Sequence, residues 1–152
     1  MNLIKVISRF DDISDPDALI FLMSQQMATY GADPDKERLR KGLINALKES
    51  SRAVLFLKSD TGGKPEAFAF ANICSGLESG GDYLWINELY VDELLRNRGV
   101  ATEILNFIDS WCRENDLVYI ACSSGLKNDA ALSLYRKNGF VTSETIWVDK
   151  EL

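Results

Sequence analysis

Two strand-like runs, "DYLWINELYV" (82–91) and "LVYIACS" (117–123), are joined by an amphipathic stretch and very little else. Across residues 99–114, Val100, Ile104, Ile108, Trp111 and Cys112 fall on one stripe, while Glu103, Asn106, Asp109 and Arg113 fall off it, which is the period of an α-helix. A strand, a helix and a buried strand in succession make a crossover unit. Its two strands must lie parallel and its hand must be right. Any fold open to this chain therefore contains a sheet with one parallel pair and a helix packed on it.

The remaining segments supply what surrounds that unit. "NLIKVIS" (2–8) reads as a first strand, and residues 14–31 as a helix with Asp15 at the N-cap, Pro16 at its first position and Gly31 as its stop. Residues 32–50 repeat the device with Asp33 and Pro34. "RAVLFLK" (52–58) and "PEAFAFANICS" (65–75) flank the turn signal "SDTGG", and "SGLESGG" (75–81) leads into the 82–91 strand, so an antiparallel meander is expected. After the crossover, "NDAALSLYRKNGF" (128–140) is a second helix entered at Asn128 and left at Gly139, and "FVTSETIWVDKEL" is expected to add a sixth strand. The predicted fold is mixed α/β (α+β): a mostly antiparallel sheet with a central parallel pair, the fourth and fifth strands, flanked by helices. With 152 residues and no linker, repeat or low-complexity run, the expectation is a single domain over 1–152.

Composition removes whole classes of chemistry. The chain has no histidine, which excludes Ser-His-Asp and Cys-His nucleophile systems and most zinc sites, so proton transfer falls to carboxylate, tyrosine, cysteine, lysine, backbone or water. Cys74, Cys112 and Cys122 lack C-x-x-C spacing and sit in apolar runs, as reduced thiols would; no metal is expected. No apolar run approaches the roughly 20 residues that span a bilayer, and the start lacks the basic and apolar regions of a secretory signal, so the expectation is a cytoplasmic protein without a membrane partner. A net charge of −6 argues against nucleic acid. Most of that charge lies between residues 51 and 95, where three cations face seven acids.

"RNRGVATEIL" (96–105) opens the amphipathic helix with two arginines and a glycine. A helix N-terminus leaves about four N–H groups unpaired and carries roughly half a positive charge. Gly99 removes the side chain that would shield those donors, Ala101 keeps the next position small, and Arg96 and Arg98 add cationic donors, so the loop is suited to a phosphate or pyrophosphate. A loop glycine beside two solvated arginines would look the same. Neither G-x-x-x-x-G-K-[ST] nor G-x-G-x-x-G is present.

On two motifs the sequence resembles the GNAT superfamily of N-acetyltransferases. "RNRGVA" (96–101), following "ELYV" (88–91), matches that family's R/Q-x-x-G-x-G/A, and "NDAALSLYRKNGF" matches N-x-x-A-x-x-L-Y-x-x-x-G-F. The element order fits over nearly the whole chain. Relatives often finish with two strands, whereas the twelve residues after Phe140 allow one, which leaves the last sheet edge, or a homodimer contact in its place, open.

The resemblance implies acetyl-CoA as cosubstrate and a primary amine, on a small molecule or peptide, as acceptor. Backbone amides across Asn97, Arg98, Gly99, Val100, Ala101 and Thr102 would hold the pyrophosphate, and the strand edge at Leu89, Tyr90 and Val91 would pair with the pantetheine amides. Bulk at Gly99 should then do more harm than loss of either arginine. The acceptor amine would attack the thioester directly. Tyr135 would protonate the leaving thiolate as general acid, the N–H of Leu89 would polarise the acetyl carbonyl, and Asn128 would cap its helix and reach the coenzyme. Glu88 is the candidate base, directly or through water; relatives that carry the base one place earlier have it where this chain has Asn87, which cannot serve. Side chains alternate along a strand, so Glu88 and Tyr90 face away from Asn87 and Leu89 unless a bulge intervenes, and the family usually has one here. The acceptor pocket would draw on residues 20–35, including Tyr30, and on the 75–83 loop. The acidic excess favours a cationic acceptor, although solvated surface charge explains it almost as well. The alternative is a catalytically idle acyl-CoA sensor or partner-binding module of the same fold.

Overall fold

The computed structural model describes residues 3–152. They form two compact units divided between Cys122 and Ser123. The first begins with strand β1 (Ile4–Ile7); Asn2, where the sequence places the start of this strand, lies outside the described residues. Helices α1 (Pro16–Thr29) and α2 (Lys36–Ala46) follow, then β2 (Ala53–Ser59), β3 (Pro65–Gly76), β4 (Gly81–Val91), helix α3 (Val100–Glu114) and β5 (Ile120–Cys122). The strands lie in the order β1-β2-β3-β4-β5, every neighbour antiparallel except the β4–β5 pair, which is parallel as the crossover requires.

Helices α1 and α2 each begin where a carboxylate can hold the first amides. Asp15 accepts from the N–H of Ala18 at 2.9 Å with Pro16 at the first position, as the sequence indicates. The second helix starts later than expected. Asp35, rather than Asp33, accepts from the N–H groups of Glu37 and Arg38, and Asp33 instead pairs with the Arg38 guanidinium at 3.1 Å.

Register separates the two faces of the sheet. Opposed pairs Leu57–Phe68 and Phe68–Tyr90 share one face, where Leu19, Ile20, Leu22 and Met23 of α1 and Leu43 of α2 pack on them. Phe56 and Ala69 share the other face, where the Phe56 ring meets Phe107 and Trp111 of α3 edge-on at 6.2 and 5.2 Å. Ile104, Ile108 and Cys112 bury the rest of the α3 stripe. Each buried aliphatic or aromatic side chain contributes about 1.5–3 kcal/mol, so this seam dominates the positioning of α3. Lys58 on β2, only 12% exposed, adds an ion pair to Glu103 at 3.1 Å.

The second unit contains α4 (Asp129–Lys137). Asn128 caps it, its side-chain oxygen accepting from the N–H of Ala131 at 3.2 Å. At the other end Gly139 takes φ +85°, the N–H of Phe140 donates to the Tyr135 carbonyl at 3.0 Å, and the N–H of Gly139 donates to the Arg136 carbonyl at 3.2 Å. That is a Schellman closure, and the Tyr135 and Phe140 rings, 5.3 Å apart, form its accompanying apolar contact.

The sixth strand expected over 140–152 is not formed. Residues 141–152 have no regular secondary structure, and Val141, Ile146, Trp147 and Val148 are exposed. A strand exists only through a ladder with a neighbour, and no strand among the described residues pairs with this segment; its apolar alternation alone could not make one.

Candidate active site

The path of β4 sets the site. Ala71 opposes Ile86 and Phe70 opposes Glu88, so Asn87 is an extra residue bulged from the ladder. The bulge shifts the alternation. Ile86 stays with Ala71 on the α3 face, whereas Glu88, two residues later, turns with Phe70 to the α1–α2 face. Asn87 itself is exposed and its side-chain oxygen accepts from Asn72 Nδ2 at 2.6 Å. The β4–β5 pairing ends at Ile86, immediately before the bulge, so residues 87–91 of β4 continue past the last paired residue of β5.

Glu88 enters a cavity of about 280 Å³ between sheet and helices. Met23, Gln26 and Met27 of α1 form one wall, Leu39, Gly42 and Leu43 of α2 another, and Phe68, Phe70 and Glu88 the floor. The Glu88 carboxylate accepts a hydrogen bond from Gln26 Nε2 at 2.7 Å. Burial pushes the Glu88 carboxyl above its ordinary value, and the Gln26 bond offsets part of that. Such a carboxylate is a stronger base than a solvated one and remains ionised above its raised pKa, the condition for accepting a proton from an ammonium.

Beyond β4, a 3₁₀ turn (Glu93–Leu95) leads to the α3 entrance. Asn97 (φ +61°) and Gly99 (φ +81°) are both left-handed, and the first ladder bond of α3 runs from the N–H of Glu103 to the Gly99 carbonyl. The amides of Val100, Ala101 and Thr102 thus precede the ladder, and left-handed residues in such a loop turn successive N–H groups toward a common point. Arg96 is engaged locally: its Nε donates to the Val91 carbonyl at 3.3 Å and its guanidinium lies 5.2 Å from the Tyr90 ring centroid. Arg98 is exposed and, among the described residues, makes no ion pair. Tyr90 and Val91 are buried and Leu89 is half-buried, paired across β3 with Ala69. One continuous segment, 88–102, thus carries Glu88, the free length of β4 and the bare helix entrance. Asn128 and Tyr135 belong to the second unit, where Tyr135 is buried.

The expected pocket range of 20–35 takes in Met23, Gln26 and Met27, but sequence reasoning singled out Tyr30 there rather than Gln26 and missed the α2 wall. Gln26 follows Leu19, Leu22 and Met23 by seven, four and three residues, which places a polar side chain on the buried stripe of α1, and that was the available signal. Tyr30 is exposed, and neither it nor the 75–83 segment lines the cavity. Among the described residues no group of three metal-ligating side chains converges.

A family model described as the acetyltransferase (GNAT) family matches residues 19–140. No curated protein matches significantly. A solved structure of a probable acetyltransferase is 23% identical, with a TM-score of 0.82 over 97% of this chain and 99% of its own. A predicted acetyltransferase of Clostridium acetobutylicum, solved with acetyl-CoA, is 18% identical, with a TM-score of 0.74 over 99% and 96%. An aminoglycoside acetyltransferase from an uncultured soil metagenomic sample, in complex with sisomicin, is 16% identical, with a TM-score of 0.73 over 99% and 96%.

Proposed function

The chain belongs to the GNAT family of acetyltransferases, and from that premise we propose that it moves the acetyl group of acetyl-CoA to a primary amine by direct attack in a ternary complex. The observation that carries this reading is the bulge at Asn87, which turns Glu88 into a half-buried cavity at the point where β4 outruns β5. The chemistry needs an amine pocket and a coenzyme edge side by side on one strand, and the cavity beside Glu88 together with the β4 edge past Ile86 supports giving β4 both roles.

In the proposed cycle the left-handed loop receives the pyrophosphate on the amides of Asn97 to Thr102, and the β4 edge at Leu89, Tyr90 and Val91 pairs with pantetheine. Glu88 takes a proton from the acceptor ammonium, directly or through water. The neutral nitrogen forms a C–N bond at the thioester carbon, the C–S bond breaks as Tyr135 gives its proton to the departing thiolate, and the remaining extra proton on the nitrogen leaves to water, from which the Tyr135 phenolate is reprotonated; Glu88 returns its own proton to solvent. The N–H of Leu89 steadies the carbonyl oxygen. Asn128 reaches the coenzyme while capping α4. The two compact units act as one catalytic domain over 1–152, supported by a family match that takes in both. We place the enzyme in the cytosol, in keeping with the finding that no helix among the described residues is long and apolar enough to cross a membrane. The exposed Ile146, Trp147 and Val148 favour a homodimer contact.

Thiol release from acetyl-CoA across a panel of primary amines tests the reading. Turnover with at least one amine, lost about a hundredfold in Tyr135→Phe at neutral pH, is the expected result. A protein that binds acetyl-CoA yet turns over no amine would be the idle module; full activity in Tyr135→Phe at every pH would remove the general acid.

A further inference from the structure

The cavity beside Glu88 carries information about the amine itself. Gln26 is 1% exposed, and while its Nε2 donates to Glu88, its Oε1 is buried with no hydrogen-bond partner. An ionised carboxylate can only accept, so the bond to Glu88 fixes which end of the amide is nitrogen and leaves an oxygen that only a donor can satisfy. A buried acceptor without a donor is uncommon in a folded protein. Glu88 on the floor and Gln26 on the adjoining α1 wall therefore carry two acceptors side by side, and a primary ammonium brings three N–H donors.

The rest of the lining is of the opposite character. Met23, Met27, Leu39, Phe68 and Phe70 are apolar, and the only other ionisable side chain is Arg38, whose guanidinium is already held by Asp33. The acids that make residues 51–95 negative do not line this space; Glu88 alone does. One carboxylate among apolar walls can neutralise one ammonium, and a second cation on the same ligand would be stripped of water with nothing to replace it. At about 280 Å³ the space lies just below the 300–1,000 Å³ of drug-sized pockets. Gly42, inside α2, has neither a left-handed φ nor any atom within 4 Å of where a Cβ would stand. A glycine in a helix interior is unfavourable compared with alanine, and here no local backbone need offsets it; the open volume along the cavity wall is what it provides.

We propose that the acceptor is a small primary monoamine with an apolar body, its ammonium received jointly by Glu88 and the Oε1 of Gln26 and its body lying against the α1 and α2 walls. The proposal deepens the acetyltransferase reading and rests on it for the reaction, but it makes a claim about binding that can be measured without turnover. Titration calorimetry of hexylamine, methylamine and spermidine into the protein with coenzyme A present reads it directly. Hexylamine should bind at least tenfold more tightly than spermidine, and Gln26→Leu, which suits the apolar stripe of α1 and leaves no orphaned acceptor, should weaken hexylamine about tenfold while leaving coenzyme A affinity unchanged. Gly42→Leu should weaken hexylamine more than methylamine, because it fills the space of the body and not that of the ammonium. Spermidine binding as tightly as hexylamine, an unchanged hexylamine affinity in Gln26→Leu, or an equal loss for both monoamines in Gly42→Leu would each overturn the proposal. If hexylamine binds as expected but no thiol is released, the acetyltransferase reading falls and the amine site stands.

Discussion

Glu88 shows how a single side chain acquires a function from its surroundings. In water it would be an ordinary solvated carboxylate; half-buried between Phe70 and α1, its carboxyl is raised by desolvation, with Gln26 Nε2 acting against the shift. The consequence for stability has a definite sign. A carboxyl whose folded pKa exceeds its unfolded one binds its proton more tightly when folded, so its ionisation reduces stability as pH rises from the ordinary value through the raised one. Glu88→Gln removes that charge and should raise the melting temperature at pH 7, with no gain at a pH below the ordinary value. The same substitution should lower kcat/KM by about a hundredfold and abolish the rising acidic limb of its pH profile. Melting curves at two pH values and one rate profile check both; a variant that is no more stable at pH 7 would mean the carboxylate is solvated. Glu88 could be singled out from sequence because it opens a recognisable motif. Its partner could not, because Gln26 lies 62 positions away and a glutamine on a helix announces no role until the fold places it.

Elements were legible to the extent that their signals are local. The α3 stripe, the Asp15 and Asn128 caps and the turn glycines each act within a few residues, and the helices they define are present. The 140–152 strand depends on a distant partner and has no ladder to join; at α2 two neighbouring aspartates both offer a local cap, and Asp35 rather than Asp33 takes it. The bulge at Asn87 also depends on a partner strand: strict alternation along "WINELY" would put Glu88 on the face of Ile86, and it is the family resemblance, not the local pattern, that leads to the bulge the register contains. Its value lies in the bend it gives β4 rather than in the facing alone. Deleting Asn87 would restore a regular ladder in which Ile86 and Glu88 keep their observed sides and their β3 partners. The deletion should therefore leave the melting temperature within a few degrees of the parent, yet straighten β4 where it continues past its last β5 pair, and with that abolish coenzyme binding. Circular dichroism melts and a coenzyme A titration on the same protein separate the two effects; undiminished binding would show that the open β4 edge does not depend on the bulge.

At the scale of the molecule, the crossover read from residues 82–123 constrained everything else: one parallel pair, α3 on one face, and by exclusion α1 and α2 on the other. What it could not indicate was how a ligand would register in the stability of the whole. The proposal that the amides after Asn97 hold a pyrophosphate predicts such a coupling. A ligand that binds only the folded state stabilises it by about 2.7 kcal/mol when present at a hundred times its Kd. For a chain of this length each kcal/mol moves Tm by about 2–4 °C, so saturating acetyl-CoA should raise Tm by about 5–11 °C. Gly99→Val tests where that energy arises. At φ +81° a branched side chain is strained by about 1–2 kcal/mol, so the variant melts lower without ligand; what matters is the increment on adding acetyl-CoA. That increment should vanish, because the valine also covers the amides, whereas Arg98→Ala, which removes an exposed charge and no backbone donor, should keep most of it. A Gly99→Val protein with the full increment, or an Arg98→Ala protein with none, would transfer the anion site from the backbone to the arginine.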